Sequence, residues 1–186
     1  MENKEEFLEV VDENDNVIGL ETRANVHKKG LLHREIHIFF LTPNGEIIFQ
    51  HRGKDKDTYP DKLDATVGGH VDPGMTYDET AIKECKEETG IDMDKNKLLY
   101  LATMKKKSFD PATGATNNRI GNQYAYLYDG SINDLQIEEG KGEGFEAWNI
   151  DDLPHLSDDD KKRFLPIFIG EDMIKLYNKA REILIK

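Results

Sequence analysis

The stretch from Gly68 to Ile91, GGHVDPGMTYDETAIKECKEETGI, constrains this chain more than any other. It reads as a glycine-rich loop running into one amphipathic helix. Thr76 and Glu79 form a T-x-x-E capping box at the helix start. Asp78 lies in the first turn, where the positive end of the helix dipole favours an acid. Gly90 stands where a glycine closes a helix. At about 3.6 residues per turn, Ala81, Ile82, Cys85 and Thr89 share a stripe that suits a core. Glu84, Glu87 and Glu88 share a neighbouring arc.

That acidic arc runs against helix electrostatics. Like charges at i, i+3 and i+4 repel one another, and the last turns of a helix disfavour anions. Lys83 and Lys86 offset part of the repulsion, and Glu79 to Lys83 is a favourable spacing. Two readings follow from the residues alone. One is a solvated acidic helix end. The other is a divalent cation, which turns repulsion into ligation because hard cations take oxygen ligands.

Composition narrows the setting. The chain has 186 residues and a net charge of -12, with 37% hydrophobic and 33% charged residues. That fits one soluble globular domain, with room for a small extension. Such a charge repels nucleic-acid backbones and anionic membranes, so an anionic substrate needs local positive charge or a metal. One cysteine excludes an intrachain disulfide and suits a reducing, cytoplasmic setting. No signal peptide pattern and no membrane-length apolar run is expected. The oligomeric state is left open.

Along the chain, Phe7 to Val11 and Val17 to Leu20 flank a polar turn and predict a β-hairpin. Ala24 to Gly30 predicts a short turn or helix. His33 to Leu41, with IHIFFL, predicts a central strand, and Glu46 to Arg52 its hairpin partner across Pro43-Asn44-Gly45. Gly53 to Lys62 is a charged loop, and Asp64 to Val67 a short strand before the glycines. Lys97 to Lys106, Asn122 to Tyr128 and Gly144 to Ile150 have strand character. Ser108 to Gly121, polar and containing glycine, predicts a long loop. Ser157 starts a helix that Pro166 ends or kinks. Met173, Ile174, Tyr177, Ala180, Ile183 and Leu184 predict a C-terminal helix packed on the domain.

The central stretch resembles the Nudix box, G-x5-E-x7-R-E-U-x-E-E-x-G-U with U aliphatic. Gly69, Glu84, Glu87, Glu88, Gly90 and Ile91 match in register. Met75 stands at the box's first Glu, Lys83 at its Arg and Cys85 at its middle aliphatic position. The resemblance implies an α/β fold: a Nudix-like α/β/α sandwich with a mixed sheet over residues 31–164. An N-terminal hairpin extension (1–30) and a C-terminal helix (165–186) are added to it. It implies Mg2+ or Mn2+ as cofactor, held by Glu84, Glu87, Glu88 and the Gly69 carbonyl. The implied reaction is hydrolysis of a nucleoside diphosphate linked to another group, a small-molecule substrate. In the family the Glu and Arg replaced here by Met75 and Lys83 brace the loop. A non-catalytic diphosphate-binding module is therefore a second expectation.

Around that core, Arg52 is the chosen phosphate contact, with Arg34, Lys54, Lys56 and Arg119 as further basic groups. Glu143 and Glu146 are candidate bases for water, and Tyr59, Tyr124 and Tyr126 candidate stacking rings. The segment Val11 to Gly19, together with His27, His33 and the Gly69-His70 pair, resembles isopentenyl-diphosphate isomerase, which shares the fold. The isomerase's cysteine position is Gly68 here, and its downstream carboxylates are missing near Gly121 to Gln123. Isomerisation is therefore not expected. Each histidine taken singly reads as structural or superficial, and Cys85 as a buried, inert thiol.

Overall fold

A computed structural model describes residues 5–54, 59–110, 114–138, 140 and 142–185. Among these residues, strands and α-helices follow one another: β1 (Phe7–Val11), β2 (Val17–Thr22), α1 (Arg23–Lys29), β3 (Leu32–Leu41), β4 (Glu46–Arg52), β5 (Leu63–Asp64), β6 (Val67–His70), α2 (Tyr77–Thr89), β7 (Leu99–Phe109), β8 (Thr116–Leu127), β9 (Gly142–Asn149), α3 (Asp158–Lys161) and α4 (Glu171–Leu184). The nine strands form one mixed sheet.

β3 is its axis. β8 lies parallel along its whole length, from Leu32↔Asn118 to Leu41↔Leu127. The opposite edge is shared in turn by β1 at His33, β6 at Glu35 to Ile38, and β4 at Phe40 and Leu41, all antiparallel. β9 continues the sheet beyond β4, and β7 beyond β8.

Alternation along β3 splits the interior into two layers. Ile36, Ile38 and Phe40 face α2 and pack with Ala81 and Cys85. Phe39 and Leu41 face the other way, onto Phe168, Met173, Tyr177 and Ala180 of the C-terminal region. A strand covered on both faces must be apolar in nearly every residue, which is why IHIFFL reads as continuous. The C-terminal helix packs as its periodicity predicts, with Met173, Tyr177 and Ala180 buried. Its N-terminal neighbour α3 is one short turn capped by Ser157, and Pro166 opens a tight 3-10 turn through Ile169.

Two expectations need correction. Ser108 to Gly121 is not a long loop: β7 runs to Phe109 and β8 starts at Thr116, and the Asp110 amide bonds the Ala115 carbonyl across the turn. These strands escape recognition because β7 is an edge strand, nowhere buried after Leu101, so it lacks an apolar period. The start of β8 pairs with the polar half of β3. Likewise, Gly68 and Gly69 are strand, not loop. They pair with His37 and Ile36, and the irregular segment begins only after His70.

Phe39 is fully buried against Phe168 and Tyr177, with ring centroids 5.5 and 5.0 Å away. Phe39→Ala should destabilise the protein by ~3–5 kcal/mol. Urea unfolding checks this; a shift under ~1 kcal/mol would show that α4 does not depend on that contact.

Candidate active site

The local sequence sets α2 in place. Thr76 Oγ1 accepts from the Glu79 amide at 3.3 Å, and the Glu79 carboxylate accepts from the Thr76 amide at 2.9 Å, closing the capping box. Gly90, with φ 73°, ends the helix in the left-handed region, where a side chain would be strained. Tyr124, one of the proposed stacking rings, is anchored to the helix start: its hydroxyl donates to Asp78 at 2.7 Å.

With the apolar stripe on the sheet, the acidic arc turns toward β6. Glu84 and Glu88 are buried, at 6% and 3% exposure, while Glu87 faces outward. The Gly68 amide donates to Glu88 Oε2 at 3.2 Å. Glu84 lies against the backbone of Gly69 so closely that a Cβ there would fall 2.6 Å from its carboxyl carbon. Only glycine at position 69 allows that approach. Buried carboxylates are costly unless compensated, and these two lie against the backbone of β6 at Gly68 and Gly69. An all-oxygen donor set of this kind suits a hard divalent cation.

Lys83 occupies the box's arginine position and spans the site. Its ammonium lies 2.7 Å from Asp72, 3.6 Å from Glu84 and 3.5 Å from Glu87. The hydrogen bond to Asp72 holds its pKa well above the ordinary lysine value. Met75, at the box's first Glu, instead packs on the apolar cluster beneath α2.

The other nominated groups are distributed differently. Arg52 donates to Asp64 at 2.6 Å and to the Tyr59 carbonyl at 3.1 Å, tying β4 to β5 and the following loop. Arg34 bonds Asp15 and Glu9. Arg119 is not in a loop; it lies buried in β8 and pairs with Glu35. Glu146 pairs with Arg163, and Lys54 lies 3.7 Å from Glu143. Tyr126 packs against Phe40, with centroids 5.2 Å apart. Lys56 lies outside the described residues.

On the face of β3 away from α2, a second polar site emerges. His27, His33 and His70 bring their rings to within 5.1–5.4 Å of one another, centroid to centroid. Among the described residues they are one of two sets of three potential ligands gathered within 4.8 Å, the other being His51, Asp61 and Glu143. The acidic arc of α2 is not so tightly drawn together. His33 Nδ1 lies 3.0 Å from the Leu31 carbonyl, so it carries the proton there. Its Nε2 is then a lone pair, buried with no hydrogen-bond partner. Burial, and then the neighbouring His70, lowers His27 and His33 from an ordinary 6.5 to about 4. Three imidazoles gathered this closely offer a nitrogen donor set to a first-row transition ion. The sequence set these three together only through the isomerase resemblance and did not show that their rings meet. The signal was the polar alternation His33, Glu35, His37 in an otherwise apolar strand.

A mixed sheet thus lies between α2 and α4, with a carboxylate-bearing helix against a Gly-Gly strand. The chain belongs to the Nudix family of hydrolases, which act on phosphorus anhydrides: the NUDIX domain model matches residues 31–168. Members generally use divalent metal ions, usually Mg2+ or Mn2+. An uncharacterized Nudix hydrolase of Clostridium acetobutylicum is 29% identical over 162 residues, 83% of this chain and 75% of that one. A Yersinia pestis relative is 42% identical over 86 residues, only 46% of this chain and 47% of its own length. An isopentenyl-diphosphate Delta-isomerase of Serratia proteamaculans is 25% identical over 155 residues, 83% of this chain and 81% of that one. Among solved structures, DR0079 from Deinococcus radiodurans superposes with a TM-score of 0.66 at 23% identity, covering 94% of this chain and 98% of that one. Among the described residues, no helix is long and apolar enough to cross a membrane.

The histidine cluster makes stability pH-dependent. A base whose folded pKa is depressed is fully stabilising above its unfolded value and loses that contribution as pH falls toward its folded value. The window for His33 is therefore pH 6.5 down to about 4. His27 and the buried His37, also lowered, act in the same direction. His33 alone should cost roughly 2 kcal/mol at pH 5. Urea midpoints at pH 7 and pH 5 measure this; equal midpoints would show these rings to be solvated.

Proposed function

We propose that the chain is a Mg2+- or Mn2+-dependent pyrophosphohydrolase. It would cleave the diphosphate linkage of a nucleoside diphosphate joined to another moiety. The carrying observation is the arc of Glu84, Glu87 and Glu88 on α2, two of them buried, with Glu84 in contact with the backbone of Gly69. These three carboxylates and the Gly69 carbonyl would hold the ion. When bound, such an ion neutralises diphosphate charge and lowers the pKa of a water.

The chain's own groups do the rest. The Gly68 amide holds Glu88 at the strand edge. Lys83, tied to Asp72, places a positive charge between Glu84 and Glu87 and limits their mutual repulsion. Arg52 is the proposed substrate contact, and it meets a phosphate by exchanging part of its engagement with Asp64 and Tyr59. ADP-ribose, bound by a Shewanella oneidensis Nudix domain of the same fold (TM-score 0.55, 15% identity), belongs on the substrate panel. The buried Cys85 thiol, pushed up to about 11 by burial, stays protonated and fits the reducing, cytoplasmic setting of this reading.

Glu88→Gln should lower kcat at least ~100-fold, because even outer-shell partners of a metal site cost ten- to a hundred-fold when removed. The measurement is release of nucleoside monophosphate from a panel of nucleoside-diphosphate conjugates with Mg2+. Tight diphosphate binding with no turnover above the Glu88→Gln background would instead establish a binding module.

The histidine cluster favours one other reading, the isomerase. Two structural facts oppose it. A Cβ at Gly68, the place of the isomerase cysteine, would lie 3.2 Å from His37 Cδ2. At Gly121, in the segment where the isomerase has carboxylates, a Cβ would lie 2.9 Å from Glu35 Cγ. Incubation with isopentenyl diphosphate in D2O should therefore give no deuterium incorporation; exchange above background would reverse the ranking.

A further inference from the structure

The segment joining β6 to α2 follows directly on the strand that carries the backbone of the proposed ion site and ends in the capping box. We propose that the N-terminal hairpin holds this segment in place, with Glu9 as the positioning residue. This inference rests on the metal-site reading above.

Glu9 Oε1 accepts from the Gly74 amide at 3.0 Å, a contact across 65 positions of sequence. Gly74 has φ 82°, in the left-handed region, within the turn closed by the Met75 amide and the Asp72 carbonyl. The other Glu9 oxygen lies 3.3 Å from Arg34, whose Nε donates to Asp15 at 2.7 Å. Asp15 is in the hairpin turn and accepts from the Tyr77 hydroxyl at 3.1–3.2 Å. Arg34 also lies over the Tyr77 ring, 5.6 Å from its centroid. Its backbone carbonyl accepts from the Val71 amide at 3.1 Å. The segment is thus gripped at its start by β3, in its middle by Glu9 and at its end by Asp15.

The Glu9 and Arg34 side chains are only 15% and 18% exposed, so this pair is better shielded from solvent than a surface ion pair. The hairpin does not need the network to stay on the sheet. Leu8 and Val11 are buried, and Val11 packs with Leu32 and Ile120. What the network does contribute is a fixed position for Gly74, and through it for the turn carrying Asp72, the partner of Lys83. The Met75 side chain takes no polar part in this; its packing is apolar. The bracing falls to a residue more than sixty positions upstream.

The test compares Glu9→Ala with Glu9→Gln in the full chain. Glutamine keeps an acceptor oxygen for the Gly74 amide. Hydrogen exchange of residues 71–77 is measured without metal. Mn2+ affinity is read by electron paramagnetic resonance and counted as the ions lost in Glu88→Gln. In Glu9→Ala, exchange of that segment should rise and Mn2+ affinity fall, each about 10-fold. The unfolding midpoint should stay near wild type, and Glu9→Gln should recover most of both effects. Unchanged exchange in Glu9→Ala overturns the proposal. So does a loss that appears only with global destabilisation and is equal in both variants. Wild-type protein that binds no such Mn2+ removes the metal reading itself, and the tether is then decided by exchange alone.

Discussion

The contact between Glu84 and the bare backbone of Gly69 is what the rest of the site depends on. It brings a helix carboxylate onto a β-strand at a distance that no side chain at position 69 would permit. The pairing of β6 with β3 presents that backbone, and the apolar stripe of α2 sets the depth of the helix. The capping box and Gly90 set where the helix begins and ends. Each of these is a local preference of modest energy, and they agree with one another. That agreement lets two carboxylates be buried side by side near the unfavourable end of a helix dipole.

The two faces of β3 carry different chemistry. Toward α2 the strand is apolar, and the acidic arc emerges at the edge of that layer. On the other face, His33, Glu35 and His37 stand in a row and meet Arg119, Gln123 and His70. Paired groups satisfy most of this network. His33 Nε2 and Gln123 Oε1 are its unsatisfied atoms. Buried polar groups without partners are unusual in a folded protein, and one of these two, His33 Nε2, lies in the three-histidine cluster. Gly68 and Gly121 make room for His37 and Glu35 on this face, as Gly69 does for Glu84 on the other.

Much of the molecule was legible from residue order. The hairpin at Asp12 to Asn16, the helix closed by Gly30, the strand His33 to Leu41 and both long helices follow from turn chemistry, capping and periodicity. These are near-neighbour effects, so a linear reading finds them. The strand halves around Phe109 and Thr116 were not legible, because their polar side chains line an edge ribbon and a polar strip of sheet. Arg119 was misplaced for the same reason. Gly68-Gly69 read as loop because glycine usually marks a turn. Here the cause is close packing, against Glu84 at Gly69 and against His37 at Gly68, residues distant in the sequence.

The sequence alone determined the acidic arc on α2, its registry with Gly69 and the family that both imply, because helix spacing converts residue number directly into geometry. Only the tertiary structure decided which basic groups are already engaged, that three histidines from α1, β3 and β6 converge, and that Glu9 reaches Gly74. Those contacts join elements far apart in the chain. Their distances are set by sheet order and strand register, which no local pattern of residues encodes.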